Sequence, residues 1–457
     1  MLRPLRDQAS RAIRLLLAIA AFTVGCGEPP EPRNLLLISL DTLRADHLGC
    51  YGYERPTSPF LDRLASQGVL FEQAYATSPW TLPSHASLFT GLYPSQHGAM
   101  TEELSLPTDL PTLAEVLRGR DFATAGFVSG IFLGSRYGLG RGFERYVAIP
   151  TRAESGGSAT TLSATDRVSA GGLEWLAAQQ GRPFFLFLHY FDIHADYRPE
   201  PRFAGLFGKP YHGPADGSAR QLRAFLRGLI AFDADDRAHL VDLYDAEIRQ
   251  LDLGLEELFA KLRERGALDQ TVVVVTADHG EEFFDHGGVV HARTQYQEML
   301  RVPMIILGPG IPRGLRSHQP VSLVDLAPTL LTLLGAEVPP AVSGRDLAPL
   351  WEGGGDGWPE RDLFAEANGT RDGVSPQRAV LRGRWKLILH GSGERELFDL
   401  VEDPHERENR AAAEPERTAD LASQLTTTLG TTRKAPVLPP LTPTMRYQLE
   451  ALGYLRE

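Results

Sequence analysis

Thr81, in the segment SPWTLPSHASLFTG at residues 78–91, is the side chain whose placement could do the most chemistry. The run that follows it predicts a short helix starting around Pro83 and ending at Gly91. A hydroxyl at that start lies where backbone N–H groups and the helix dipole favour an anion. Taken alone, such a threonine is a helix cap. A metal ion beside it changes the reading, because coordination can turn the hydroxyl into a nucleophile at neutral pH.

Ligands for such an ion stand at the ends of apolar runs. NLLLISL (34–40) ends in Asp41, TVVVVTA (271–277) ends in Asp278-His279-Gly280, and PFFLFLHYF (183–191) runs into Asp192 and His194. Asp41, Asp278 and His279 supply two carboxylates and one imidazole, enough for one divalent cation with an open position. An Asp after a strand is more often a cap, but three ligands sharing one sheet edge favour metal. The imidazole points to Mn²⁺ or Zn²⁺, with Ca²⁺ possible. His286 and His291 follow soon after, and with His194 they read as a wall that binds an oxyanion or donates protons. A lone histidine is more often structural.

The elements that must position these groups alternate. The runs at 34–40, 122–129, 183–191, 271–277 and 301–308 carry the signature of buried parallel strands. SPFLDRLASQG (58–68) reads as a helix capped by Thr57 and stopped by Gly68. Tyr244, Ile248, Leu251, Leu255, Leu258 and Leu262 recur at three and four residues and share one face of a long helix. The fold class is α/β, a mostly parallel sheet sandwiched by helices over residues 34–340. RAVLRGRWKLILHGSGERELFDL (378–400) reads as antiparallel strands with a Gly-Ser-Gly turn. It predicts a smaller α+β subdomain over 341–457. The stretches at 150–161 and 205–220 are turn-rich and read as a loop and as an insertion at the site's mouth.

Composition sets the outer limits. The 457 residues are 42% hydrophobic and 23% charged with a formal net charge of −12, which argues against a nucleic-acid surface. Arg3, Arg6, Arg11 and Arg14 precede the apolar run LLLAIAAFTVG (15–25), too short for a spanning helix, then Cys26 and a Pro-rich stretch. Residues 1–25 read as a lipoprotein-type signal peptide, Cys26 as its lipidated residue and 26–33 as a tether. The protein is therefore expected to be exported and lipid-anchored to a bacterial membrane. With Cys26 lipidated, Cys50 has no disulfide partner and should be buried.

These residues together resemble the sulfatase family of the alkaline phosphatase superfamily. The resemblance rests on NLLLISLDTLRADHLGCYGY (34–53), TLPSHASLFTGLYPSQHG (81–98), FLHYFDIHADY (187–197), TADHGEEFFDHGG (276–288) and YQEMLRVPMIILGPG (296–310). ELFDLVEDPHERENRA (396–411) and LEALGYL (449–455) are similar to the family's closing parts. The resemblance implies that Asp41, Asp278 and His279 are metal ligands, that Thr81 is the nucleophile touching the metal, and that His194 binds the oxyanion or protonates the leaving group. Arg44 and His85 lie in the same motifs and are candidate substrate-binding residues, with His194. His291 lies near the family's substrate-binding Lys, one residue out of frame, and His286 competes for that role.

Departures from the family pattern decide the chemistry. Formylglycine is made from Cys or Ser, with Arg four residues on, whereas this sequence has Thr81 and His85; a second family Asp is replaced by Thr42. Oxidation of a secondary alcohol stops at a ketone, so no formylglycine can form here. The remaining set resembles superfamily members with threonine nucleophiles that act on phosphoryl groups. The leading expectation is a metal-dependent hydrolase of phosphate mono- or diesters, a small anionic ester as substrate. Sulfuric ester hydrolysis and phosphoryl transfer to an envelope glycan or lipid are the alternatives. A non-catalytic anion or glycan binder fits less well, since it needs no nucleophile.

Overall fold

The computed structural model describes residues 33–151, 163–179, 181–353, 357–369 and 374–452. The expected signal peptide, Cys26 and most of the 150–161 loop lie outside the described residues. Residues 32–457 form one compact unit.

Eight strands build the main sheet: β1 Asn34–Leu40, β2 Val69–Phe71, β3 Ala123–Ser129, β4 Arg145–Ile149, β5 Phe184–Tyr190, β6 Thr271–Thr276, β7 Met304–Leu307 and β8 Leu315–Ser317. Their order across the sheet is β8-β2-β7-β6-β1-β5-β3-β4. From β6 to β4 every pairing is parallel, and apart from Asn34 at the start of β1 the strands β6, β1 and β5 are buried, as their mostly Leu, Val and Phe content requires. β7 departs from the expected parallel direction and runs antiparallel to both neighbours. A parallel return needs a crossover, usually a long helix. The connection from β6 to β7 instead holds the loops of the site. The apolar run at 301–308 also breaks at Pro303, and Arg301–Val302 pairs with Ala74–Tyr75 in a separate small sheet.

Five helices matter below: α1 Pro59–Ala65, α2 Thr81–Thr90, α3 Ala164–Ala177, α4 Ala234–Glu264 and α5 Pro415–Leu429. All six residues of the expected α4 stripe are buried. α1 is shorter than expected. Its N-cap is Ser58 with Pro59 at the first helical position, while Thr57 turns its hydroxyl onto the His47 carbonyl. The N–H groups of Phe60 and Leu61, which that helix leaves unpaired, are taken by the Asp252 carboxylate from α4.

Four antiparallel strands follow, β9 Asp362–Ala367, β10 Gln377–Arg382, β11 Trp385–His390 and β12 Arg395–Asp399, paired in sequence order. The Gly-Ser-Gly turn joins β11 to β12, as its composition predicts. This sheet and α5 share a second hydrophobic core that includes Phe364, Val380, Leu387, Leu397 and Leu425. Among the described residues no helix is long and apolar enough to cross a membrane.

Candidate active site

The site lies where β1, β6 and β5 end and α2 begins. Beyond β1, Asp41 donates its N–H to the Tyr190 carbonyl of the neighbouring strand end. Thr42 then takes a positive φ of 59°, uncommon for a β-branched residue, and its hydroxyl donates to the carbonyls of Asp41 and Ile193. Tyr244 of α4 locks this turn by donating to the Thr42 carbonyl and accepting from the Arg44 N–H. Beyond β6, the Ser84 hydroxyl of α2 donates to the Asp278 carbonyl at 2.6 Å, tying helix to strand. α2 starts two residues earlier than expected, so Thr81 is its first helical residue and Trp80 the N-cap; Gly91 closes it with a φ of 68°. These ties are local reasons for a rigid site.

The four expected metal ligands converge. Thr81 Oγ1 stands 3.5 Å from Asp41 Oδ2 and 3.4 Å from His279 Nε2. His279 Nε2 stands 3.7 Å from Asp41 Oδ1 and 3.4 Å from Asp278 Oδ2. These separations are long for hydrogen bonds. Ligand atoms about 2.1 Å from a tetrahedral cation lie about 3.4 Å apart, which is the spacing seen here. His279 donates Nδ1–H to the Gly280 carbonyl, leaving Nε2 as the ligating nitrogen. Asp41 Oδ1 and both carboxylate oxygens of Asp278 are buried without a hydrogen-bond partner. Buried polar atoms are normally satisfied, so an orphaned, wholly buried acid–imidazole cluster fits a divalent cation. Burial raises the pKa of Asp41, and burial with the neighbouring Asp41 charge raises that of Asp278. Burial lowers that of His279, but the two carboxylates outweigh it and the net shift is upward.

Two histidines of the expected wall face this cluster. The His291 ring lies 4.7 Å from that of His279 and 4.8 Å from that of His194. His194 donates Nδ1–H to the Ala195 carbonyl and stacks on Phe191; burial pushes its pKa down to about 4. His291 Nδ1 is 2.9 Å from Glu281 Oε1, and burial lowers its pKa too. The residues flanking it, Val290 and Ala292, both have positive φ, 61° and 64°.

The other sequence candidates are committed elsewhere. His286 bonds Glu298 and the Glu406 carbonyl and stacks on Tyr296 at 3.5 Å, so it joins the loop to the C-terminal subdomain instead of the site. Arg44 spends its guanidinium on Asp46, Asp285 and the Glu281 carbonyl, which leaves no donor for a substrate. His85 points inward, with Nδ1 on the Thr81 carbonyl and Nε2 on Ser39 Oγ, and burial holds its pKa at about 4. It lines the back of the cluster and does not face substrate. Asp192 sits beside Thr165, and burial raises its pKa. Cys50 is half-buried, short of the full burial expected, with its N–H on Asp62.

Sequence reasoning missed His189 and Glu281. His189 lies in β5 behind Asp41, with Nε2 at 3.1 Å from Asp41 Oδ2. A single histidine inside an otherwise apolar strand was the available signal. Glu281 is fully buried, its pKa pushed up to about 7 by burial, and nothing in its exposed-looking sequence context marks it.

Comparisons with known proteins bear on this geometry. The family model described as Sulfatase matches residues 33–336, and one described as N-sulphoglucosamine sulphohydrolase, C-terminal, matches residues 283–435. Arylsulfatase A of Homo sapiens is 29% identical over 454 residues, covering 89% of this chain and 84% of that protein. The phosphonate monoester hydrolase of Agrobacterium radiobacter has a similar structure, with a TM-score of 0.72 and 22% identity, covering 90% of this chain and all of the other. A structure solved in complex with its substrate D-glucosamine-2-N,6-O-disulfate has a TM-score of 0.74 at 21% identity, over 88% of this chain and 98% of the other.

Proposed function

We propose a function from a premise those matches establish: this chain belongs to the sulfatase family. It is a hydrolase of ester bonds. Our reading is that it cleaves phosphate mono- or diesters with Thr81 as the direct nucleophile. The observation that carries this is the Thr81 hydroxyl at the first turn of α2, 3.5 Å from Asp41 and 3.4 Å from His279.

Asp41, Asp278, His279 and Thr81 would hold one divalent cation, Zn²⁺ or Mn²⁺ by ligand type. When bound, the cation lowers the pKa of the Thr81 hydroxyl and offsets charge on the ester oxygens. Thr81 Oγ1 attacks phosphorus in line, and the bond from phosphorus to the leaving alcohol breaks as the new bond forms. His194 and His291 are neutral without substrate, but the anionic oxygens of a phosphate ester beside them favour their charged form. They then hold its oxygens and return a proton to the leaving alcohol. Water completes the cycle by displacing phosphate from Thr81. A threonine-bound sulfate would need a second displacement at sulfur, which is why the hydroxyl favours phosphate. A second reading, sulfuric ester hydrolysis, draws on relatives named as arylsulfatases.

Removing the hydroxyl in Thr81→Ala should cut turnover by several orders of magnitude, and Thr81→Ser should keep part of it. Rapid quench with a phosphodiester and peptide mapping should find phosphate on Thr81. Faster turnover of aryl sulfate than of every aryl phosphate and phosphodiester tested would establish the second reading instead.

We also propose that Cys26 carries lipid at the mature N-terminus, from the Arg-rich start, the apolar run and Gly25-Cys26 before a Pro-rich stretch. Mass spectrometry of membrane-extracted protein should show a diacylated Cys26 peptide. A soluble, unmodified N-terminus elsewhere would refute it.

A further inference from the structure

Two glutamates stand side by side after Asp278-His279-Gly280, and the fold uses Glu281 and Glu282 differently. Beyond them the chain turns back on itself. Glu282–Phe283 pairs antiparallel with Val289–Val290, with Glu282 opposite Val290. Glu282 closes that turn from inside, its Oε1 accepting from the N–H groups of His286 and Gly288 at 3.1 and 2.7 Å. Glu281 and His291 are the next residues outward on the two strands. Residues opposite each other on an antiparallel pair carry their side chains on one face. Glu281 Oε1 accordingly meets His291 Nδ1 at 2.9 Å.

The backbone on either side of this contact is fixed. Gly280 donates its N–H to the Met299 carbonyl at 2.8 Å. It passes so close to Glu298 that a Cβ would stand 1.9 Å from the Glu298 carbonyl oxygen, so only glycine fits there. Arg44 Nη1 donates to the Glu281 carbonyl at 3.1 Å, and the Ala292 N–H to that of Pro79 at 3.0 Å. Both side chains are buried. Among the described residues, Glu281 Oε2 makes no well-formed hydrogen bond, although the Tyr197 hydroxyl stands beside this carboxylate. The one well-formed side-chain bond of Glu281 is to His291. Burying a carboxylate for a single bond is costly, more than packing alone requires.

On the function proposed above, in which His291 holds the ester's oxygens and returns a proton to the leaving alcohol, we propose that Glu281 is its positioning residue. The carboxylate accepts Nδ1–H, fixes the ring and its tautomer, and so assigns to Nε2 the work His291 does toward the ester. A neutral imidazole carries one proton on two nitrogens, and a hydrogen-bond partner must choose between them. A half-turn of the ring would set carbon where each nitrogen now stands, and the other tautomer would leave Nε2 without its lone pair. His194 and His279, whose rings lie 4.8 and 4.7 Å from that of His291, are held in the same sense, each with Nδ1–H on a backbone carbonyl. Of these three histidines, His291 alone takes its Nδ1 partner from a side chain. Glu281 itself touches no reacting atom. It acts through His291.

Two measurements test this, and the first does not depend on which ester is cleaved. Full-length protein loaded with Zn²⁺ and labelled with ¹⁵N-histidine is recorded by long-range ¹H–¹⁵N correlation. The His291 signals are assigned by their loss in His291→Phe. Wild type should show the Nδ1–H tautomer, and Glu281→Met a mixture of the two. Glu281→Asp keeps the charge but draws the carboxylate back by about 1.5 Å, one carbon–carbon bond, and should behave as Glu281→Met does. The second measurement is a double-mutant cycle in kcat, on whichever of aryl phosphate, phosphodiester and aryl sulfate turns over fastest. Glu281→Met should lower kcat roughly 10- to 100-fold in wild type and less than about 2-fold in His291→Phe, with Zn²⁺ content unchanged. Circular dichroism checks that each variant is folded. If Glu281→Met fails to fold, Glu281→Asp and the wild-type spectrum still decide. A wild-type Nε2–H tautomer overturns the proposal. So does a tautomer unchanged in the folded Glu281 variants, or an equal change of kcat in the two backgrounds. The expected tautomers with no phosphate on Thr81 would refute the nucleophile and leave the positioning role standing.

Discussion

Two buried acidic clusters lie on either side of the β1 turn, and their bonding is opposite. On the α4 side, Asp245 accepts from His47, Tyr53 and Arg55, each at 2.7 Å. Asp252 accepts from two backbone N–H groups and pairs with Arg249. On the sheet-edge side, Asp278 accepts nothing and one oxygen of Asp41 accepts nothing, though both are as deeply buried as Asp245. Burial is the same in both, so it identifies neither. Satisfaction separates them: a carboxylate whose lone pairs are filled by the protein holds the fold, and one whose lone pairs are left open waits for something the protein does not supply.

The sharpest way to break this contrast is a pair of matched substitutions. Asp278→Asn should lower turnover by about 10³ or more, because it removes a ligand of the cation. The same change should raise the stability of metal-free protein by about 1–3 kcal/mol, since it deletes an unpaired buried charge beside Asp41. Asp245→Asn should do the reverse. It should cost about 3 kcal/mol in urea unfolding by stranding His47, Tyr53 and Arg55, while turnover per folded molecule stays close to wild type. If Asp278→Asn destabilises metal-free protein as Asp245→Asn does, the distinction between the clusters is lost.

The sequence made much of this visible. Strand-end positions and hydrophobic period placed Asp41, Asp278 and His279 on one edge, because a fully buried parallel strand leaves its chemistry only at its end, while Thr81 joined them only through the family resemblance. What it could not show was direction within a motif. Arg44 and His85 share motifs with residues of the cluster, yet one is saturated by Asp46 and Asp285 and the other faces the interior. A motif fixes neighbourhood, but the rotamer and the partners brought from α4 and the 278–303 loop decide orientation. His286 failed for the same reason, since its partner Glu406 comes from beyond β12. β7 was misread as parallel because an apolar run carries no information about polarity.

A smaller effect sharpens the satisfied side of the comparison. Burial holds the Asp252 pKa up at about 6, above the roughly 3.9 of an unfolded aspartate. The folded state therefore binds the extra proton between these values. The contribution is full below about pH 4 and is lost as pH rises through about 6, reaching about 3 kcal/mol at most. Asp252→Asn cannot ionise and keeps an oxygen for the Phe60 and Leu61 N–H groups. The variant should therefore gain stability relative to wild type on going from pH 4 to pH 7. Urea unfolding of both proteins across that range measures it, and a flat difference would mean that the two N–H groups already hold Asp252 ionised.

The smallest expected change lies on the sheet-edge side, where the backbone itself is strained. His291 is held between Val290 and Ala292, both with positive φ, and the Ala292 N–H is tied at 3.0 Å to the carbonyl of Pro79, two residues before Thr81. A left-handed conformation costs an L-residue about 1–2 kcal/mol, while glycine adopts it freely and loses more entropy on folding. Ala292→Gly should therefore raise stability by about 0.5–1 kcal/mol. Turnover should fall a few-fold, because the loop that aims His291 at the cluster becomes looser. Asp121, also at positive φ, 63°, stands in the turn before β3 and serves as the control. Aspartate visits this region at lower cost, so Asp121→Gly should gain less stability and leave turnover unchanged. Strain beside His291 would then be retained for placement, and strain at Asp121 only for a turn. Equal turnover in Ala292→Gly and wild type would show that His291 needs no such hold, and would remove it from the proton-handling pair with His194.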